Sequence, residues 1–280
     1  MNPDAKTAAT NKPTHANNAA HLAPETLKNL GRYDFPNPTT ADPDGIGMIA
    51  MGGDLAPETL ISAYARGLFP WFNENDPIAW WCPEPRCVMI PADYQPSKSL
   101  RKQARRARAR WHLTVNKAFA KVIRACSLPR SDELPEGDHT WIHEEMIEAY
   151  TKLHAYGFAH SVEVWDEQGQ LIGGLYGLKI GHIYFGESMF HTATNASKLA
   201  FWGLMRLCEQ SGVAMVDCQL RNDHLLSLGA ITLPRTEFLT QLDTLIGAHV
   251  VQWQAHSYQP LAVAQLDSST PWQRCVNPQT

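Results

Sequence analysis

The sequence predicts an α+β protein in which a small N-terminal α/β domain precedes a larger domain built on a mixed, mostly antiparallel sheet. Two observations carry this reading. Apolar residues recur at i, i+3 and i+4 in separated stretches, the pattern of helices with one buried face. Between two of those helices lie three short runs of strand-like residues joined by Gly-containing turns, and a further strand follows the second helix. Helix, antiparallel strands, helix, strand is an α+β order with a mixed sheet.

The 280 residues are enough for one large domain or two modest ones. Residues 1–27, rich in Ala, Asn, Thr and Pro without periodicity, are expected to be a disordered extension. They hold neither a hydrophobic signal core nor an Arg-rich transit pattern, and no apolar run reaches eighteen residues, so the expected place is the cytoplasm, away from membranes. The small domain is expected over 28–95, the larger one over 96–246 and an irregular tail over 247–280.

In the small domain, Leu60, Ala63, Tyr64 and Leu68 form the apolar face of a short helix that starts near Asp54 or Pro57 and ends at Gly67. PWFNENDPIAWWCPEPR follows, over 70–86, with three tryptophans and four prolines. So many fixed φ angles and missing donors argue for a structured loop whose rings either plug a hole or present a surface. SKSLRKQARRARARW then reads as a helix. Between Tyr94 and Ser131 there are eleven Lys and Arg and no acid, leaving 13 basic against 28 acidic residues elsewhere. Arg101, Arg105 and Arg108 share one helical stripe, with Lys102, Arg106 and Arg110 beside it. The pattern suits a local polyanion, with a plainly solvated face as the alternative. The larger domain continues with the helix WIHEEMIEAYTKLHAYG, buried along Ile142, Met146, Ala149, Tyr150 and Leu153. The strands HSVEVWD, LIGGLYGL and HIYFGESMF follow, then the helix NASKLAFWGLMRLCEQSG, capped at Asn195 and closed by Gly212, and finally the strand VAMVDCQL.

Along that last strand Met215, Asp217 and Gln219 point to one face and Val216 and Cys218 to the other, so a carboxylate and an amide arrive side by side. They act on a substrate or are satisfied structural groups. Glu187, amid aromatic and Met neighbours, needs a partner or has its acidity weakened by desolvation; a buried structural hydrogen bond is the simpler reading. His224 in NDH is expected to orient its loop, because no GxSxG nucleophile accompanies it. GLYGLKIG leads into no helix and is not a dinucleotide fingerprint, and no phosphate-binding Walker loop is present. The six cysteines have no zinc spacing and are expected to be reduced and structural, with no metal.

Taken together, GGDLAPETLISAYARGLFPWF, DPIAWWCPEPR, TWI, HSVEVWD, GGLYG, GESMF, NASK, VDCQLRNDH and SLGA resemble the leucyl/phenylalanyl-tRNA–protein transferase family, in the family's order over about residues 33–242. The resemblance implies a GCN5-related N-acyltransferase-like (GNAT-like) fold for the larger domain. It implies transfer of Leu or Phe, less readily Met, from aminoacyl-tRNA to the N-terminal Arg or Lys of proteins, marking them for N-end-rule degradation, without cofactor and in a monomeric chain. Asp217 and Gln219 match the family's DxQ motif, and Asp217 is expected to accept or relay the amine proton, or to bind the α-ammonium. Glu187 is expected to meet the cationic acceptor or anchor Gln219. Leu175, Tyr184, Met189 and Val216 match the walls of the aminoacyl side-chain pocket, Leu175 standing where Met is common. Trp71 and Trp141 match tryptophans at the terminal adenosine. Lys98, Arg101, Lys102, Arg105, Arg106 and Arg108 match the acceptor-stem contact. Trp80 and Trp81 are expected to include a packing residue between domains. The alternatives are an acyl-CoA-dependent N-acyltransferase, whose pyrophosphate loop is missing, and a non-catalytic tRNA-binding protein, which would leave Asp217, Gln219 and Glu187 idle.

Overall fold

The computed structural model describes residues 22–107, 110–128, 141–247, 253, 258–268 and 270–275. The N-terminal part runs α1 (Pro24–Lys28), α2 (Pro38–Ala41), β1 (Met48–Met51), α3 (Pro57–Tyr64), β2 (Phe69–Pro70) and β3 (Ala79–Trp81). Each of its helices opens on proline, whose fixed φ suits a first turn and whose missing N–H costs nothing there. Asp54 fastens the entry to α3 by accepting from Ala56 N at 3.0 Å and from Thr59 Oγ1 at 2.7 Å. Gly67 turns the chain out of α3 at φ +77°, where a Cβ would come within 2.8 Å of Leu239.

The tryptophan-rich stretch is not wholly loop. Ala79–Trp81 is the central strand of a sheet ordered β1-β3-β2. The prolines allow this because Pro70 sits in edge strand β2, while Pro77, Pro83 and Pro85 lie outside the strands. Trp80 is buried, donates to Gly52 O at 2.8 Å and packs edge-on against Phe35.

The chain goes on through β4 (Arg86–Met89), α4 (Lys98–Ala107), β5 (His112–Val115), α5 (Phe119–Cys126), α6 (Glu144–Ala155), β6 (Ala159–Trp165), β7 (Leu171–Ile180), β8 (Ile183–His191), α7 (Ala196–Gln210), β9 (Met215–Gln219), α8 (Asp223–Ser227), β10 (Ile231–Leu233), α9 (Arg235–Leu245) and β11 (Leu261–Ala262). The strands form one eight-stranded sheet ordered β10-β4-β9-β8-β7-β6-β5-β11. Among the described residues only the β8–β9 pair is parallel, because α7 returns the chain across the sheet between them. The expected order of helix, antiparallel strands, helix and strand is thus present. Among the described residues no helix is long and apolar enough to cross a membrane.

Four expectations need amending. Residues 1–21 lie outside the described residues, but residues 24–27, counted with the extension, belong to the helix Pro24–Lys28, whose Leu27 is buried. Arg86–Met89, counted with the small domain, pairs with β9 and β10 in the main sheet, so the chain enters that sheet before residue 95. The tail is not irregular throughout: β11 extends the main sheet, a 3₁₀ turn spans Val263–Asp267, and Trp253 and Trp272 are buried. Asn195 precedes α7 in the left-handed region without a cap bond, and its side chain donates instead to Gln103 Oε1.

The sheet has a core on each face. One gathers Leu60, Tyr64, Phe119, Met146, Tyr150 and Phe185 beneath α3, α5 and α6. The other gathers Leu175, Tyr184, Leu199, Trp202 and Val216 beneath α7 and the C-terminal segment. Strand β9 obeys the two-residue period, Met215 entering the first core and Val216 the second. The N-terminal part is fixed to α9 by a buried ion pair in which Arg235 donates to Asp42 Oδ2 and Asp42 O, each at 2.6 Å, and to Cys82 O at 3.1 Å. Asp42→Ala would strand the Arg235 charge, so unfolding in urea should show a loss of about 3–5 kcal/mol; a loss below about 1 kcal/mol would contradict this pairing.

Candidate active site

Asp217 and Arg86 have no exposed side-chain surface. Arg86 donates from Nε to Asp217 Oδ1 at 2.8 Å and from Nη2 to Oδ2 at 2.7 Å, the two-pronged geometry of the strongest ion pairs. The guanidinium also lies over the Phe69 and Phe238 rings, 5.1 and 4.5 Å from their centroids. Asp217 Oδ1 further accepts the backbone N–H of Gln219 at 3.0 Å. With both oxygens engaged and no open edge, Asp217 is not placed to take a proton from a substrate amine, contrary to the sequence expectation. What it holds is Gln219, whose φ of +54° is left-handed. Such a conformation costs a non-glycine residue on the order of 1–3 kcal/mol and persists only where its surroundings enforce it.

Glu187 sits at an irregularity of β8. Against β7, Gly186 stands opposite Gly177 and Ser188 opposite Tyr176, leaving Glu187 as an extra residue. This bulge reverses the alternation: Phe185 faces the first core and Tyr184 the second, whereas beyond the bulge Phe190 faces the first and Met189 the second. Glu187 Oε1 accepts from Tyr64 Oη at 2.7 Å and from Gln219 Nε2 at 3.4 Å, and Oε2 accepts from Tyr150 Oη at 3.2 Å. The two tyrosine hydroxyls also lie 2.5 Å apart. Burial pushes the Glu187 carboxyl up to about 8; the hydrogen bonds from Tyr64 and Tyr150 oppose that rise, and nearby Asp217 adds to it.

The strands open at this point. Parallel pairing of β8 with β9 ends at Phe185 opposite Asp217, while β8 runs on beside β7 to His191. Glu187 and Gln219 therefore flank the mouth between two diverging strands. The expected pocket residues lie together in the second core: Leu175 is directly across from Met189 on β7–β8, and Tyr184 across from Val216 on β8–β9. Tyr184 Oη donates to His160 O at 3.1 Å, which satisfies its one polar atom.

Trp71 is 42% exposed, its ring edge-on to Trp81 at 5.5 Å. Trp141 is half-buried. The neighbouring pair Phe72 and His143 touch at 4.8 Å, which brings the two tryptophan-bearing segments to one rim. Helix α4 is exposed at Lys98, Lys102, Arg105 and Arg106, which with Arg101 line one surface depression. Arg108 lies outside the described residues. Sequence reasoning missed Arg86 and read Tyr64 and Tyr150 only as core stripe. The available signal was chemical: a tyrosine in a buried stripe carries a hydroxyl that must find a partner.

A family model described as leucyl/phenylalanyl-tRNA protein transferase matches residues 88–243, and a model of the same family's N-terminal domain matches residues 53–84. A leucyl/phenylalanyl-tRNA–protein transferase of Psychrobacter arcticus is 71% identical over 264 residues, spanning 93% of this chain and 97% of that protein. One from Psychrobacter cryohalolentis is 68% identical, spanning 91% and 97%, and one from Cellvibrio japonicus is 46% identical, spanning 85% and 96%.

The raised pKa of Glu187 has a consequence for stability. A carboxyl more easily protonated when folded contributes stability that is fully present below its ordinary value near 4.5 and is lost as pH rises through about 8. Glu187→Gln removes that loss, so its stability relative to the unsubstituted protein should climb between those pH values and then level off. A pH-independent difference in denaturant midpoints would contradict the assignment.

Proposed function

This chain belongs to the leucyl/phenylalanyl-tRNA–protein transferase family, and we propose that it moves Leu or Phe, less readily Met, from aminoacyl-tRNA to the N-terminal Arg or Lys of acceptor proteins, marking them for N-end-rule degradation. The observation that carries the site assignment is the meeting of Glu187, Gln219 and the Tyr64–Tyr150 pair where β8 and β9 part, with the apolar second core on the other face of the same strands.

An aminoacyl ester is already activated, so the reaction needs orientation, an uncharged amine and support for the developing oxyanion rather than ATP or a metal. Glu187 as carboxylate takes a proton from the acceptor ammonium. Its affinity for protons lies close to the value of about 7.7–8.0 usual for an α-amine, so the transfer is nearly balanced. The freed nitrogen attacks the ester carbonyl carbon; the C–N bond forms, the C–O bond to the ribose breaks, the proton on Glu187 passes to the departing ribose oxygen, and the carboxylate so regenerated takes the remaining extra proton from the new amide nitrogen and releases it to water. Gln219 orients the amine, and Asp217 acts as a positioning residue that keeps Gln219 in its left-handed conformation. The carboxylate on Glu187 also suits a cationic acceptor, a charge-assisted bond contributing about 1.5–3 kcal/mol.

Leu175, Tyr184, Met189 and Val216 form the wall that receives the transferred side chain, which admits Leu, Phe and Met while a β-branched residue would clash near Cβ. Trp71 and Trp141 receive the terminal adenosine, and α4 meets the acceptor stem.

The direct assay mixes the protein with labelled Leu-tRNA or Phe-tRNA and a peptide beginning with Arg or Lys, without ATP or coenzyme A. Label should move to the peptide, and its failure to move while the tRNA stays charged would refute the reading. Gln219→Ala and Glu187→Gln should each lower kcat by about 100-fold or more, the scale of a lost proton acceptor or its orienter. Trp71→Ala should raise KM for aminoacyl-tRNA by roughly 5- to 100-fold, as expected for a lost base stack, with thermal stability nearly unchanged; an unaltered KM would remove Trp71 from the adenosine site.

A further inference from the structure

Helix α4 carries two kinds of cation. Lys98, Lys102 and Arg106 are spaced by four, share one stripe and make no ion pair or hydrogen bond with any described residue. Arg101 and Arg105, on the adjoining stripe, both reach Asp267. Arg101 Nη1 donates to Asp267 Oδ1 at 2.8 Å, and Arg105 donates to Oδ2 from Nε at 2.9 Å and from Nη2. The other nitrogens of Arg101 are committed as well, Nε to Pro96 O at 3.2 Å and Nη2 to Gln95 Oε1 at 3.0 Å. The Arg105 hydrogen bond, against the opposing effect of burial, keeps the Asp267 carboxyl below its ordinary range.

The carboxylate stands on a firm platform. Leu261, Val263 and Leu266 are buried, and Val263 N donates to Trp111 O at 2.9 Å. Arg206 on α7 donates to Gln265 O at 2.7 Å, to Leu266 O at 2.9 Å and to Thr270 O. Gln210 and Trp272 exchange hydrogen bonds at 2.7 and 2.8 Å. The segment lies beyond residue 243, where the family match ends. Helix α4 has separate anchors, through buried Leu100 and Ala104 and through Gln103, which donates to Thr194 O at 2.6 Å.

We infer that Asp267 is a built-in counter-ion that occupies Arg101 and Arg105 as a phosphate would, withholding them from RNA and leaving the Lys98–Lys102–Arg106 stripe as the phosphate-binding face of α4. The inference rests on the reading that α4 meets the acceptor stem. Its effect is to cap the number of phosphates neutralised, and with it the affinity for the spent tRNA that must leave after each transfer.

The test is binding of deacylated tRNA across about 50–200 mM salt. Asp267→Asn should bind more tightly at the low end, by about threefold or more, with a plot of log K against log salt steeper by about 0.7–0.9, one extra phosphate contact. Asp267→Glu, which keeps the carboxylate, should restore the original slope. An unchanged or shallower slope in folded Asp267→Asn would overturn the inference, since it would make Asp267 only a brace. The triple variant Lys98→Gln, Lys102→Gln, Arg106→Gln separates the two claims: its slope should become shallower by about two or more phosphate contacts, and if it does not, the docking of RNA on α4 fails, and the inference with it.

Discussion

The buried pair of Arg86 and Asp217 is the contact on which the rest of the structure hangs. It links β4 to β9, the second and third strands from the β10 edge of the main sheet, and the Arg86 guanidinium lies over Phe69 of the N-terminal sheet and Phe238 of α9. Three parts of the chain distant in sequence thus meet on one charge. Two ions taken from water cost several kcal/mol each, and that cost is met only when the geometry is good and the remaining lone pairs are used. The third bond to this carboxylate, from the Gln219 N–H, offsets part of that cost, Arg86 Nη1 being left without a hydrogen-bond partner among the described residues, and at the same time sets the backbone of a residue at the cleft. Structural necessity and placement of the site are one arrangement here.

From that fixed point the cleft follows. Parallel pairing stops at Phe185 and Asp217, β9 turns at left-handed Gln219, and Glu187, at the bulge of β8, turns its carboxylate towards the tyrosines of α3 and α6. Glu187 and the tyrosine hydroxyls gather on one face, and because the bulge inverts the alternation Met189 joins Tyr184, Val216 and Leu175 on the other. In the proposed function, this pair of strands presents an aminoacyl side chain and an attacking amine to the same opening from opposite sides. The N-terminal part supplies Tyr64, and the tryptophan-rich stretch supplies a packed centre at Trp80 and an exposed ring at Trp71.

Much of this was legible in the sequence where periodicity carries information. The strands β6 to β8, the helices α6 and α7, and the two faces of β9 follow from spacing alone, and the family blocks pointed to Glu187 and Gln219. What was hidden was pairing over long separations. Nothing local says that Arg86 belongs to Asp217, 131 residues away, or that Asp267 answers Arg101 and Arg105 across more than 160. β5 and β11 are too short to leave a pattern, and the tail is held by isolated buried tryptophans rather than by a periodic face. The facing of Met189 and Phe190 depends on one extra residue in a ladder, which a count of two cannot foresee.

In the proposed reaction the amine meets Gln219 and Glu187 while Asp217 stays on Arg86. A crystal structure with a non-hydrolysable amide-linked phenylalanyl-adenosine and a peptide beginning with Arg tests it most directly. The peptide amine should lie within about 2.7–3.2 Å of Gln219 Oε1 or a Glu187 oxygen, with both Asp217 oxygens still paired to the guanidinium. An Asp217 carboxylate turned away from Arg86 and bonded to that amine would overturn these roles.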